Sequence, residues 1–393
     1  MSESAICPSC GSNNTWIFYE QRQVPVQSIL LLHSREEALA LPKGDIRLAF
    51  CQSCGFITNT TFDPGLVFYS EQCEETQGFS PIFNAFHRRL AEQLIHRYHL
   101  HNKTIIEIGC GKGEFLALLC EMGSNWGIGF DPTYVDGRIQ SPAQDRMTFI
   151  QDYYSEKYSE YPGDFYCCKM TLEHILDTAD FIGMVRHSIG DQPGATVFFQ
   201  VPDVVRILRE RAFWDIYYEH CSYFSLGSLA RLFRSCNFDV IDLWRDYDNQ
   251  YLMIEARPGD GSCISRLPQE DDLEVLARDI IHFSRNYPRK LESWRQRLLQ
   301  LKGSRSRMVL WGAGSKAVSF LTTLDIHDEI AFVVDINPYK QGTYISGTGQ
   351  EIVPPGFLKE YRPEIVILMN PVYQKEIQQD LDRLGVDAEV IGL

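Results

Sequence analysis

Residues Ile105-Ile106-Glu107-Ile108-Gly109-Cys110-Gly111-Lys112-Gly113-Glu114-Phe115 restrict the fold more than any other stretch of the 393-residue chain. An apolar run holding one acidic residue breaks into three alternating glycines. An amphipathic run, Glu114-Phe115-Leu116-Ala117-Leu118-Leu119-Cys120, follows at once. That order predicts strand, tight turn and helix, the first unit of a nucleotide-binding α/β domain. Glycines in such a turn let the backbone approach a ligand where a Cβ would clash.

The spacing Gly109-x-Gly111-x-Gly113 differs from the GxGxxG of dinucleotide folds, and no phosphate-binding lysine pattern follows. Glu107 would repel a pyrophosphate but can pair with an ammonium group. The stretch resembles motif I of class I S-adenosylmethionine-dependent methyltransferases. The downstream pieces fit that resemblance. The run Trp126-Gly127-Ile128-Gly129-Phe130 ends in Asp131, about 20 residues past the turn, where a carboxylate can accept both ribose hydroxyls. Phe149-Ile150-Gln151-Asp152-Tyr153 resembles the adenine-contacting segment. Asp164 to Met170 reads as a fourth strand leading into Thr171-Leu172-Glu173-His174-Ile175. The resemblance implies that Glu107, Gly109, Gly111, Gly113, Asp131 and Asp152 bind S-adenosylmethionine.

A chain this long can fold as two or three domains, each with its own core. The net charge of −15 argues against nonspecific nucleic-acid binding, which needs basic surface. The sequence contains no apolar run of 18 residues, so no membrane span is expected. Met1-Ser2-Glu3-Ser4-Ala5 has neither the basic nor the apolar part of a signal peptide, and the expected location is cytoplasmic. The 12 cysteines then point to reduced thiols and metal ligation rather than disulfides.

Four of them form two matching pairs, Cys7-Pro8-Ser9-Cys10-Gly11 and Cys51-Gln52-Ser53-Cys54-Gly55. Each C-x-x-C-G knuckle presents two thiolates on one side of a tight turn, and two knuckles complete a tetrahedral Zn²⁺ site. With all four positions filled, the metal is expected to be structural and to supply folding energy. The 40 residues between the knuckles (11 to 50) suit a long hairpin insertion.

Ser80 to Leu100 carries apolar residues at helical spacing and should lead into the cofactor domain. Thr196-Val197-Phe198-Phe199-Gln200-Val201-Pro202 reads as a buried strand. Gly259-Asp260-Gly261-Ser262 reads as a linker. Beyond it, Leu273 to Leu301 is predicted as one long or broken helix, interrupted near Tyr287-Pro288. A second glycine turn follows in Met308-Val309-Leu310-Trp311-Gly312-Ala313-Gly314-Ser315-Lys316-Ala317. Its G-x-G-x-x-A spacing between an apolar strand and a helix predicts a second Rossmann-like unit, with further strands at Phe332-Val333-Val334 and Glu364-Ile365-Val366-Ile367-Leu368. Asp335 could be a ribose-binding acid or part of a turn, and Lys316 could meet a substrate phosphate or be solvated. The fold class is therefore α/β: an N-terminal zinc-binding module over residues 1–65, a central class I methyltransferase (Rossmann-like) domain over 66–258, and a C-terminal second Rossmann-like domain over 259–393.

This combination resembles the sugar C-methyltransferases that act on dTDP-linked 4-keto-deoxysugars. Trp214-Asp215-Ile216-Tyr217-Tyr218-Glu219-His220-Cys221-Ser222-Tyr223-Phe224-Ser225 is similar to the family's Y-x-E-H-x-S-Y-F-S segment. The resemblance implies active-site roles for Tyr217, Glu219 and His220, and for His174 after the fourth strand. Methylating carbon needs a carbanion, reached when a base removes a proton beside a ketone. Histidine suits that transfer near neutral pH. His220 is therefore the expected base. Tyr217 and His174 would donate hydrogen bonds to the enolate or to hydroxyl groups, and Glu219 would orient a neighbour or the sugar.

The chain departs from the family at Cys73-Glu74-Glu75-Thr76-Gln77-Gly78-Phe79-Ser80, where Glu75 takes the place of an active-site tyrosine. A carboxylate cannot donate a hydrogen bond as a phenol does unless its pKa is raised. The expected function is thus C-methylation of a nucleotide-linked keto-sugar or related carbonyl compound. Oxygen or nitrogen methylation of another small molecule on the same scaffold is the alternative. The C-terminal domain is expected to hold the substrate nucleotide.

Overall fold

The computed structural model describes residues 5–190, 192, 194–259, 265–303 and 306–393. Of the expected linker, Asp260, Gly261 and Ser262 lie outside the described residues. The N-terminal strands are β1 (Thr15–Pro25), β2 (Lys43–Cys51) and β3 (Ile57–Asn59). β1 and β2 pair antiparallel from Thr15↔Cys51 to Pro25↔Lys43. The interval between the cysteine pairs is therefore a long hairpin, as its length predicts.

The central strands are β4 (Thr104–Ile108), β5 (Trp126–Phe130), β6 (Met147–Ile150), β7 (Phe165–Lys169), β8 (Thr196–Pro202), β9 (Ser222–Tyr223), β10 (Phe238–Asp246) and β11 (Tyr251–Pro258). Seven of them form one sheet in the order β10-β11-β8-β7-β4-β5-β6. β4, β5, β6, β7 and β8 run parallel, and β11 pairs antiparallel with β8 and β10. The parallel strands bury both faces, so β4 and β7 read as continuous apolar runs rather than alternating ones. The direction of strand order reverses at β4, whose C-terminal end is where open α/β sheets bind ligands. β9 joins the other sheet, giving β1-β2-β3-β9. The segment after Tyr217-Tyr218-Glu219-His220 is thus stitched to the N-terminal module.

The remaining strands are β12 (Met308–Trp311), β13 (Phe332–Val334), β14 (Glu351–Val353), β15 (Ile365–Leu368) and β16 (Glu389–Gly392). They form an all-parallel sheet in the order β14-β13-β12-β15-β16, with its own switch point at β12. The α/β class and its three parts agree with the sequence-based expectation.

Of the two readings of residues 273–301, the structure bears out the one long helix, Leu273–Gly303, and corrects only the interruption expected at Pro288. Proline removes one helical hydrogen bond. Here each half is pinned in a different core: Leu276, Ile280 and Phe283 pack with the N-terminal sheet, and Trp294 and Leu298 with the C-terminal sheet. Packing on both sides of the proline outweighs the local loss.

Candidate active site and cysteine cluster

β4 delivers the chain into the Gly109–Gly113 turn, and the helix Glu114–Gly123 leaves it with Gly113 as N-cap. Gly109 and Gly111 sit at φ +69° and +54°, conformations that side chains disfavour. A Cβ on Gly109 would lie 1.9 Å from Thr171 Oγ1, and one on Gly111 would lie 2.8 Å from Glu75 Oε1. Gly113 packs against Phe149 instead of lining the cavity. Glu107 is buried, and its Oε2 has no hydrogen-bond partner. Burial pushes its carboxyl up to about 7, opposed by the nearby Lys169 ammonium. An orphaned buried carboxylate beside a glycine cradle fits the ammonium-bearing end of S-adenosylmethionine.

Asp131 follows β5 and accepts the Gly111 N–H at 2.8 Å and the Thr133 N–H at 2.7 Å. The C-terminal unit repeats the device: Asp335, after β13, accepts the Ala313 N–H at 2.7 Å and the Asn337 N–H at 2.8 Å. Asp335 is therefore the strand-end acid of the second unit. Asp152 lies at the cavity edge, where its carboxylate accepts from Tyr158 Oη at 2.8 Å and from Lys157.

The four residues expected to act on substrate converge. The short turn Leu172–His174 after β7 places His174 against His220, with ring centroids 4.8 Å apart, and the Tyr217 ring lies tilted 4.1 Å from His220. His174 Nδ1 lies 3.0 Å from the Glu219 carbonyl oxygen and 2.8 Å from Tyr69 Oη. A carbonyl can only accept, so a bond to it needs the proton on Nδ1 and the lone pair on Nε2. In the tautomer that donates to this carbonyl, His174 presents an acceptor to the cavity; in the tautomer that accepts from Tyr69, it presents the expected donor. Burial lowers the pKa of His174 to about 4 and holds His220 well below the usual histidine range, so both rings are neutral. His220 Nδ1 has no partner. Tyr218, by contrast, is core: its hydroxyl accepts the Asp63 N–H at 2.8 Å.

Three further residues belong to this cluster. Ser28, from the tip of the β1–β2 hairpin, donates to the Glu219 carboxylate and lies 2.7 Å from Ser315 Oγ. Tyr69 holds His174 as described. Glu173 is buried with both oxygens unpartnered, and its Oε1 is 4.0 Å from His220 Nε2. Burial raises Glu173 to about 8 and Glu219 to about 7. Tyr69, not the residue at position 75, brings a phenol to His174 from the segment before the helix Pro81–Tyr98. Glu75 lies by Gly111, with Oε2 3.6 Å from Lys112 Nζ. The Leu66-Val67-Phe68-Tyr69 run stands four residues upstream of the stretch compared with the family, and only an allowance for that shift would have found it.

One cavity of about 700 Å³ joins these parts. It runs from Glu107, Gly111 and Asp131 past His174, Tyr217 and His220 to Gly312, Gly314 and Lys316. Lys316 is not solvated: its Nζ pairs with Asp215 Oδ1 and with Gln250 Oε1, each at 3.1 Å.

The cysteine cluster is remote from the cavity. Cys7, Cys10, Cys51 and Cys54 gather with all Sγ atoms within 4.8 Å of one another, and the Cys7–Cys54 and Cys10–Cys51 pairs lie at 3.7 and 3.6 Å. Tetrahedral zinc with Zn–S near 2.3 Å requires sulfurs about 3.8 Å apart, so the cluster fits Zn²⁺. Gly11 and Gly55 close the two knuckles by donating to the Cys7 and Cys51 carbonyls at 2.8 Å. Among the described residues no helix is long and apolar enough to cross a membrane.

Residues 83–243 match the family described as a methyltransferase domain, and residues 264–387 match that described as a C-methyltransferase C-terminal domain. The chain is 24% identical over 307 residues to the C-methyltransferase NovU of Streptomyces niveus, a match covering 74% of this chain and 72% of that protein. Among solved structures, an O-methyltransferase family protein from Burkholderia thailandensis is similar at 16% identity with a TM-score of 0.36, over 46% of this chain and 59% of that one. The magnesium protoporphyrin IX methyltransferase of Synechocystis PCC 6803 is similar at 14% identity and 0.36, over 45% and 84%. With its glycine cradle and its four-cysteine cluster, the chain is an S-adenosylmethionine-dependent methyltransferase of the C-methyltransferase type, homologous to NovU and zinc-binding.

Proposed function

We propose that the enzyme methylates a carbon beside the ketone of a nucleotide-linked keto-sugar. The continuous cavity supports this reading, because it connects the first glycine turn, the two histidines and the second glycine turn in one space. The C-terminal unit, with Gly312, Gly314 and Lys316 facing the cavity, is assigned the nucleotide.

S-adenosylmethionine, when bound at Glu107, Gly109, Gly111, Asp131 and Asp152, would supply an activated methyl carbon, while Gly113 only shapes the turn. The chain's own residues do the rest. His220, neutral with a free Nδ1, takes the proton from the carbon beside the ketone. The C–H electron pair moves to the ketone oxygen, making an enolate. Tyr69 and Tyr217 donate hydrogen bonds to that oxygen. With its Nδ1 proton donated to the Glu219 carbonyl, His174 accepts from a sugar hydroxyl at Nε2. The enolate carbon is left facing the cofactor end of the cavity, where bound S-adenosylmethionine would supply the methyl group and its sulfur would keep the bonding pair. The proton stays on His220 beside Glu173.

The deciding experiment incubates methyl-labelled S-adenosylmethionine with a panel of dTDP-linked 4-keto-deoxysugars and identifies products by mass and NMR. A new carbon-bound methyl on one of them supports the proposal. Label on an oxygen, or on none of the panel, refutes it.

A further inference from the structure

Lys169 ends β7 inside the cavity and has no role in the steps above. Its side chain is only 9% exposed, yet among the described residues it has no ion pair within 4.0 Å. Its Nζ donates to His87 Nε2 at 3.0 Å and sits 3.9 Å over the Phe115 ring. His87 comes from the helix Pro81–Tyr98, and burial beside Lys169 keeps it neutral. A buried ammonium braced by a neutral ring and an aromatic face still lacks an anion within ion-pairing distance.

The register places Lys169 beside Glu107. Glu107 pairs with Cys167 on β7, so Lys169, two residues on, lies on the same face of the sheet about 6.6 Å farther along. Gln200, the register partner of Lys169, is buried with its Oε1 unpartnered. Met170, next in the chain, takes the left-handed φ of +52°, which holds the strand end in a rarely populated conformation at the cavity wall. Glu107, His87, Phe115, Lys169 and Gln200 all line the same space. Glu107, with one unpartnered oxygen, and Lys169, with no carboxylate within 4.0 Å among the described residues, sit side by side on one sheet face. They attract each other only at a distance and match the two ends of an amino-acid zwitterion.

We infer that Lys169, braced by His87, binds the α-carboxylate of the cofactor's amino-acid end while Glu107 takes its α-ammonium. The pocket then discriminates by the amino acid as well as the adenosine. Product S-adenosylhomocysteine keeps the zwitterion and methylthioadenosine lacks it.

Calorimetry on the full-length zinc-loaded protein and its Lys169→Met variant tests this with those two probes. The variant is expected to bind S-adenosylhomocysteine roughly 10- to 100-fold more weakly, the range for a hydrogen bond to a charged group. Its affinity for methylthioadenosine should stay within about twofold of the wild type, which also shows that the adenosine pocket is intact. Equal losses for both probes, or an undiminished S-adenosylhomocysteine affinity, would overturn the assignment. If Lys169→Met does not fold, the wild type alone decides: decarboxylated S-adenosylmethionine must bind at least about 10-fold more weakly than S-adenosylmethionine, and equal affinities refute the inference.

Discussion

His174 Nδ1 lies 3.0 Å from the carbonyl oxygen of Glu219, and donating to it leaves Nε2 as the nitrogen that can accept a proton. The Glu219 carboxylate meanwhile holds Ser28, which lies 2.7 Å from Ser315. Glu219 therefore ties together the hairpin of the N-terminal module, the helical turn after β7 and, through Ser28, the end of the second glycine turn at Ser315. The three parts of the chain meet at the residues proposed to handle substrate.

His220→Ala should separate binding from proton transfer. His220 does not contact the glycine turn, so affinity for S-adenosylhomocysteine should remain within about twofold. Exchange of the substrate proton with solvent deuterium, followed by NMR in the presence of S-adenosylhomocysteine, should slow by about 10²- to 10⁴-fold, the usual contribution of a positioned base. Exchange at the wild-type rate would move the base elsewhere.

Glu173→Gln should change the pH dependence of stability. Burial raises the folded-state pKa of Glu173 to about 8, from an ordinary value near 4.5. Below 4.5 both states are protonated. Between 4.5 and 8 the unfolded chain releases the proton and the folded chain keeps it, so stability falls as pH rises. Glu107 and Glu219, raised to about 7, add the same sign. His174 and His220, held low, oppose it only below the ordinary imidazole value near 6.5, where the unfolded chain gains protons. Glutamine lacks the titration. The melting temperature of Glu173→Gln minus that of the wild type should therefore grow from pH 6.5 to pH 8, reaching on the order of a few degrees. A flat difference would mean that the Glu173 carboxyl is not held protonated.

The parts of the site that lie within about ten contiguous residues were legible in the sequence. The strand–glycine–helix unit at 105–123 and the two C-x-x-C-G knuckles are short-range patterns whose physics is local. The site residues that escaped are those delivered by tertiary contact. Ser28 reaches Glu219 across 191 positions of sequence, and Tyr69 reaches His174 across 105. Nothing in the residues around Ser28 marks it, since its role arises from where the hairpin tip docks. Glu173 sat in a segment already noticed, but its burial depends on the fit of β9 against the turn at Leu172–His174 and cannot be read from spacing. Pro288 failed as a breaker for a related reason: the cores on either side of it belong to different sheets.

Gly109→Ala should destabilise the turn strongly. The residue occupies φ +69°, and the new Cβ would lie 1.9 Å from Thr171 Oγ1 and 2.8 Å from its Cβ. Backbone strain and overpacking each contribute about 1 to 3 kcal/mol, so a loss on the order of 3 kcal/mol is expected in urea unfolding. Combining it with Thr171→Ala should recover part of that loss, because the packing conflict goes and the φ strain stays. A Gly109→Ala variant within about 0.5 kcal/mol of the wild type would show the turn to be soft.

Cys10→Ser should abolish stoichiometric zinc while sparing the cofactor site. Cys10 is the exposed member of the cluster, and its Sγ lies 3.6 Å from that of Cys51. Losing one of four thiolates leaves an incomplete tetrahedral site of much lower affinity. Cys51 ends β2 opposite Thr15, so metal loss should fray that end of the hairpin first. The other end is held independently, by Gly347 donating to the Ala38 carbonyl at 2.8 Å and Tyr344 to the Leu32 carbonyl at 2.9 Å. Elemental analysis should therefore show about one zinc per wild-type chain and much less in Cys10→Ser. Limited proteolysis should cut the variant within the knuckles, near residues 7–11 and 51–55, before it cuts the hairpin tip. Calorimetry should find S-adenosylhomocysteine affinity unchanged within about twofold, because none of the four cysteines lines the cavity. Loss of zinc together with loss of cofactor binding would instead mean that the metal supports the whole fold, not the N-terminal end of the hairpin alone.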